Sequence, residues 1–378
     1  MTDIFAYEDL TWPEVADLPR DTPLVIPFGT GYDLGLLTES LIEPPRLGLL
    51  PPIRYGWHGS GLEIPYSILG TFVSNLINSL RGDGFTQVYA LTPPGGDLGL
   101  GTGRISLILN HAQASSILDS DIGKVVLIPV GHVEQHAFHL PLSTDMLIID
   151  AIAQGVAAAI PEQAVTLPVM PYGVSTHRRA FAGTLSSGGR AFEDFYLAVI
   201  DALVARGFDR FYLISGHGGN CSFMTNIIKY AGERHRRIFA ATAWLYLSGS
   251  EGIAALEKNR QSKIGGMGHA GELETSLMLH LRPGLVHMDK VVDETDFVAT
   301  PNYYMDWVEG GALIANPPWD DDSKTGAYGA GSLATAEHGR HWFEAAIAEK
   351  VTHVAEIHEQ HRRREERREA GYGLWSGS

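Results

Sequence analysis

A short series of sequence words recurs in the same order in both halves of this chain. Ile26-Pro27-Phe28-Gly29 is matched by Ile128-Pro129-Val130-Gly131, and Arg54-Tyr55-Gly56 by Pro171-Tyr172-Gly173. Gly84-Phe85-Thr86-Gln87-Val88-Tyr89-Ala90 is matched by Gly207-Phe208-Asp209-Arg210-Phe211-Tyr212-Leu213. Pro93-Pro94-Gly95-Gly96-Asp97 then stands opposite Gly216-His217-Gly218-Gly219-Asn220. Between the words lie helical patterns. Phe72, Leu76, Ile77 and Leu80 share one face of a helix over 69–80, and Phe192, Phe195, Tyr196, Val199 and Leu203 one face of a second that ends at Gly207. A chain that passes twice through strand, turn, helix and strand is an α/β protein with an internal duplication. The spacing predicts strands over 85–91 and 238–244, and a helix with Asn220 as its N-cap.

The two passes differ where chemistry would sit. Opposite Glu134 is Tyr32, opposite His136 is Leu34, and opposite His217 is Pro94. The first pass is also shorter between its first strand and the Tyr-Gly turn, which predicts a truncated helix there. We divide the chain into a ligand-free half, 1–110, and a chemistry-bearing domain, 111–378, that ends in a long helix.

In the second pass the apolar run Val125–Val130 reads as a buried strand feeding a polar loop. That loop, Gly131 to Asp145, holds Glu134, His136 and Asp145, with His132 and His139 as weaker candidates. Glu134 and His136 are two apart, so an extended chain points both to one side. Carboxylate with imidazole suits zinc or manganese better than calcium. His217 lies among glycines between a strand and a helix, where α/β sites form. His269, Glu272 and Glu274 make a third cluster, and His177 adds an imidazole on a turn. Two ions sharing one carboxylate could hold a hydroxide between them and polarise a carbonyl. The bland alternative for the loop alone is a set of solvated surface groups. No Gly-x-Ser-x-Gly nucleophile word is present, and Cys221 reads as a small buried residue. Residues 290–331 read as an irregular, aromatic-rich insertion, with a lid or an oligomer contact as the sharper readings.

Composition narrows the partners. Hydrophobic residues at 44% and charged residues at 19% are values of a folded chain. A net charge of −16 argues against nucleic acid or an anionic membrane. One cysteine excludes an intrachain disulfide and fits a reducing compartment. No signal peptide or bilayer-length apolar run is read, so the expectation is cytoplasmic.

Taken in order, several words resemble the creatininase family of metal-dependent amidohydrolases. They are Pro129 to His136, Leu140 to Asp145, Tyr172-Gly173 with Gly183-Thr184, Gly216 to Asn220, His269 to Ser276, and Thr325-Gly326. The resemblance covers about residues 120–350. It implies a three-layer α/β/α sandwich with a mainly parallel sheet, here partly duplicated. It also implies two divalent ions, zinc or manganese, with iron as a third candidate. By it, Glu134, Asp145 and His217 look like one ion's ligands, and His136 with Asp145 the other's. Creatininase itself carries a glutamate ligand two residues after the site histidine. Gly219 stands there, so Glu274, in preference to Glu272, is expected to supply it. The resemblance implies hydrolysis of a C–N bond in a small polar molecule, a cyclic amide or formamide. His269 or His177 would move the proton, with Glu274 beside them. The alternatives are hydrolytic opening of a cyclic ketone of keto-inositol type, or a non-catalytic metal-binding assembly subunit. Ring-like hexamers are common in the family. A fused pair of halves would make a trimeric pseudo-hexamer, with a full hexamer as the other form.

Overall fold

The computed structural model describes residues 1–110, 117–176, 180–308 and 310–372. The first sheet holds β1 (Asp3–Ala6), β2 (Leu24–Pro27), β3 (Arg46–Leu49), β4 (Val88–Thr92) and β5 (Arg104–Ser106), in the order β1-β3-β2-β4-β5. The second holds β6 (Val125–Val130), β7 (Ala164–Thr166), β8 (Arg210–Ser215) and β9 (Phe239–Thr242), in the order β7-β6-β8-β9. Every named pair in both sheets is parallel. The helices of the first unit are α1 (Trp12–Ala16), α2 (Leu34–Ser40) and α3 (Tyr66–Gly82). Those of the second are α4 (Thr144–Ala159), α5 (Gly189–Ala205), α6 (Gly218–Arg234), α7 (Ser250–Asn259), α8 (Glu272–Leu281) and α9 (Ala336–Glu369). No described helix is long and apolar enough to cross a membrane.

Alternation along the strands builds the layers. In β6 and β8, Val126, Ile128, Val130, Phe211 and Leu213 face the core that contains α5. Val125, Leu127, Tyr212 and Ile214 face the opposite core, with α4, α8 and α9. A sheet buried on both faces needs such continuous apolar runs, and an α/β/α sandwich results. Leu24, Ile26, Phe28, Val88 and Ala90 of the first sheet enter the same core as α5, together with the buried face of α3. The two sheets therefore share one helical layer. Val25, Leu47 and Leu91 point the other way, onto Leu37 of the short helix α2.

Strand order and register repeat as well as words. The order β3-β2-β4-β5 in the first sheet has the same chain sequence as β7-β6-β8-β9 in the second. Ile26 lies opposite Ala90, and Ile128 lies opposite Leu213, the residues their sequence words align. The isolated bridges Phe28–Ile53 and Val130–Met170 extend the match. Helix α2 spans 7 residues against 16 for α4, the shortening expected from the sequence. Phe72 of α3 stacks on Phe195 of α5 with ring centroids 4.6 Å apart. These two rings stand equally far before the aligned Gly84 and Gly207, so equivalent residues meet each other. Self-meeting residues are the mark of a twofold, isologous contact.

Element ends differ from the expected ones for local reasons. The strand predicted from Phe85 begins at Val88, because Phe85 N–H is bonded to Leu80 O of the helix end and Thr86 N–H to Arg20 O. Gly84, at φ +96°, makes that turn. The helix predicted with Asn220 as its cap starts at Gly218 with His217 as N-cap. Asn220 instead clamps two loops: its Oδ1 accepts from Val174 N–H and its Nδ2 donates to Gly131 O. The last strand is shorter than expected, Phe239–Thr242.

Candidate metal centre

The polar loop that follows β6 is held rigidly. Glu134 N–H donates to Leu142 O and Gln135 N–H to Thr184 Oγ1. Gln135 Nε2 donates to Gly326 O, and its Oε1 accepts from Ala137 N–H. The N-terminal segment grips the far end, where Leu142 and Ser143 donate to Leu10 O and Glu8 O. Asp145 follows in the first turn of α4, where the helix dipole favours a carboxylate. Gly216 allows the approach of β8, since a Cβ there would lie 2.2 Å from Asp145 O. His217 sits beyond the carboxyl end of β8, and Glu274 lies in the first turn of α8.

These side chains converge in a buried cluster. Glu134, His136, Asp145, His217, His269 and Glu274 are all between 0 and 3% exposed. His217 Nδ1 is 2.6 Å from Glu134 Oε2 and 3.3 Å from Asp145 Oδ2. His136 Nε2 is 3.1 Å from Asp145 Oδ1 and 3.7 Å from Glu274 Oε2. The two oxygens of Asp145 thus face two different imidazoles. His269 Nδ1 is 3.8 Å from Glu274 Oε2, and its ring centroid lies 4.1 Å from that of His136.

Each of the three imidazoles turns its other nitrogen to a backbone carbonyl. His136 Nδ1 meets Glu134 O at 3.0 Å, His217 Nε2 meets Val174 O at 3.1 Å, and His269 Nε2 meets Gln135 O at 2.7 Å. A carbonyl accepts only, so the hydrogen-bond pattern assigns the proton to that nitrogen. The lone pair of the other nitrogen then faces the carboxylates. Metal-ligating histidines are oriented in this way. Within His136, Asp145 and Glu274, one donor atom from each lies within 4.8 Å of the others, and the same holds for Glu134, His136 and His269 and for His132, Glu134 and His217. The donor set and its orientation fit a divalent ion of the zinc or manganese type.

The carboxylates and imidazoles also shift one another's titration, toward charged pairs. Burial would push the His136 imidazole down, but Asp145 and Glu274 outweigh it and hold its pKa above the ordinary value. Burial would raise Asp145, and the two imidazoles reverse this and hold it well below the usual carboxylate range. His139 is pushed down to about 4 by burial and by the charge of His136, and its Nε2 meets Thr275 Oγ1 at 3.0 Å. His132 Nδ1 accepts from Gly173 N–H, and its ring packs 4.4 Å from that of His217.

The glutamates separate clearly. Glu272 accepts from the N–H groups of Gln261 and Ser262 and lies 3.6 Å from His338, away from the cluster. Glu274 faces His136 and accepts from Ala270 N–H at 2.6 Å. At Gly219 a Cβ would lie 2.4 Å from His217 Nε2 and 2.6 Å from Val174 O, so no side chain fits beside that hydrogen bond. His177 lies outside the described residues. Cys221 is buried, its thiol pushed up to about 11 by burial.

Sequence reasoning offered a lid as one reading of the aromatic-rich 290–331 stretch but did not place its indoles, nor Trp244, beside the cluster. The Trp319 ring lies 4.9 Å from that of His269. A Cβ on Gly218 would lie 3.4 Å from Trp307 and 3.5 Å from Trp244, so both indoles cover the residue after His217. Trp307 and Trp319 belong to the loop-rich 290–331 stretch, which thereby borders the cluster.

An α/β/α sandwich with a buried carboxylate–imidazole cluster beyond the carboxyl ends of parallel strands defines a class: α/β proteins with a candidate metal site at the strand ends. Within it, the profile of the creatininase (creatinine amidohydrolase) family matches residues 110–354, and the chain belongs to that family. It is 31% identical over 182 residues to the creatinine amidohydrolase of Pseudomonas putida, covering 45% of this chain and 68% of that one. It is 29% identical over 260 residues to the mycofactocin precursor peptide peptidase of Mycobacterium tuberculosis strain H37Rv, covering 67% of this chain and 93% of the relative. A solved creatininase in a manganese form superposes with a TM-score of 0.53 at 25% identity, covering 63% of this chain and 92% of that one.

Proposed function

We propose that this creatininase-family hydrolase cleaves an amide C–N bond in a small polar substrate at a centre of two divalent ions. The observation that carries this reading is Asp145, whose Oδ1 faces His136 and whose Oδ2 faces His217. Asp145 would then be the shared ligand. Glu134 and His217 would complete the holding of one ion, and His136 and Glu274 that of the other. Two such ions, zinc or manganese, would supply a nucleophile at neutral pH and polarise the substrate carbonyl when bound. The chain's own residues do the rest. Trp244, Trp307 and Trp319 keep bulk water from the cluster, which strengthens every charge interaction inside it. His269 has its Nε2–H fixed on Gln135 O, so Nδ1 is the nitrogen that carries a proton to the departing amine.

The test is turnover on lactams, formamides, capped peptides and cyclic ketones, before and after chelation and metal return. Amide turnover that is lost on chelation and restored by manganese or zinc is expected. Turnover of cyclic ketones alone would replace the amide reading. Full metal content with no turnover on any class would make the protein a metal-binding subunit.

A further inference from the structure

One side-chain amide ties together the segments that meet behind His217. Asn220 is fully buried in the first turn of α6. Its Nδ2 donates to Gly131 O at 3.2 Å, at the start of the loop that carries Glu134 and His136. Its Oδ1 accepts from Val174 N–H at 2.9 Å, and the carbonyl of the same Val174 meets His217 Nε2 at 3.1 Å. A second route runs through Ser215. Asn220 Nδ2 also donates to Ser215 Oγ at 3.2 Å. That hydroxyl donates to His217 O at 2.7 Å and accepts from His217 N–H at 3.1 Å. The amide thus acts on the ring of His217 through Val174 and on its backbone through Ser215. Its orientation is fixed, because Val174 N–H can only donate and Gly131 O can only accept. At Gly173 a Cβ would lie 2.3 Å from Asn220 Oδ1, so the turn admits the amide only without a side chain there.

The repeated architecture supplies a comparison inside the same chain. In the aligned words Asn220 corresponds to Asp97, Gly131 to Gly29, Val174 to Trp57 and Ser215 to Thr92. Asp97 is exposed, and its Oδ1 accepts from Gly99 N–H. A carboxylate has no proton to give to a carbonyl. Thr92 Oγ1 is taken by Arg104 Nε at 2.7 Å. The first sheet nonetheless keeps the same strand order and the same pairing of aligned residues. The fold therefore does without this amide in the copy that lacks the ligands. The copy that carries the ligands has it.

We infer that Asn220 is a positioning residue of the metal centre. It holds the Val174 carbonyl and the Ser215 hydroxyl on His217, so that the imidazole keeps Nδ1 turned toward Glu134 and Asp145. The inference rests on the metal-centre reading above and assigns part of one ion's affinity to a residue outside the donor set. Groups that orient a ligating imidazole through its other nitrogen govern metal affinity in this way. The effect belongs to the ion that His217 would hold. The ion on the side of His136 and Glu274 has its own backbone partners at Glu134 O and Ala270 N–H.

The probe is cobalt(II), titrated into the full chain after chelation and followed by visible absorption. The control variant is Ser187→Ala. Ser187 Oγ donates to Gly173 O at 2.8 Å, so this variant loses a buried hydrogen bond to the same turn without touching Val174 or His217. In Asn220→Ala the Kd of one ion should rise about 10–100-fold. The absorption bands of that binding step should shift, and the other ion should bind as in the wild type. Ser187→Ala should bind both ions as the wild type does, and denaturant unfolding should show both variants folded. Wild-type affinity for both ions in Asn220→Ala overturns the inference, as does equal weakening in the two variants. Ser215→Ala removes the second route alone and takes the place of Asn220→Ala should that variant not fold, with unchanged affinity again the overturning result. One ion per chain in the wild type, weakened in Asn220→Ala, would uphold the positioning role and defeat the two-ion reading. No cobalt bound by the wild type would defeat both.

Discussion

Glu272 and Glu274 share one helical turn, yet two residues of helix separate their side chains by about 200°. One faces the 261–262 backbone and the other faces His136. Glu274→Gln is expected to lower metal content sharply. Glu272→Gln should keep the metal but destabilise the fold by about 1–3 kcal/mol, since buried N–H groups lose a charged acceptor. Elemental analysis and denaturant unfolding of both variants check this, and equal metal loss would sink the assignment. Asp145→Ala should remove both ions together. Retention of one ion per chain would show that Asp145 is not shared. Glu134, His136, Asp145 and His217 were legible in the sequence because ligand-type residues fell beside a buried strand end or among glycines. The choice between the glutamates was not legible from spacing, because either face of α8 could turn inward. The placement of the indoles was hidden for another reason. Residues 290–331 have no periodicity, and only tertiary packing brings Trp307 and Trp319 to the cluster.

The strands and helices were readable in kind because burial on both faces writes continuous apolar runs, and burial on one face writes a helical period. Their ends were less readable, since backbone bonds such as Phe85 N–H to Leu80 O decide where a strand starts. At this scale the contact between α3 and α5 is the joint of the molecule. Phe72 and Phe195 are both fully buried in the core that both sheets share. Phe72→Ala should cost about 3–5 kcal/mol through lost burial and a cavity. Far-UV and indole signals should still move in one transition, because the two units unfold as one body. Separate transitions would show that each unit has its own stability. Gly216→Ala tests a second joint. Its Cβ would meet the Asp145 carbonyl, a backbone atom with little freedom, so the variant should lose metal as well as stability.

At the scale of the whole molecule, the family profile begins at residue 110, while the first unit repeats the strand order of the second. We read that unit as a ligand-free copy fused to the working one. Burying a charged cluster without a metal is costly, and Tyr32, Leu34 and Pro94 stand where Glu134, His136 and His217 would be matched. The copy keeps what the contact needs: the apolar face of α3, the ring at Phe72 and the turn at Gly84. A surface that self-associates as a twofold pair between separate chains would then be satisfied within one chain. Should the ring of six units implied by the family resemblance persist, three chains would supply it. The expected mass by light scattering is therefore close to three times 41.1 kDa. Six chains would mean that the first unit does not take a partner's place. A single chain would remove the ring and leave the internal pair, which Phe72→Ala tests independently.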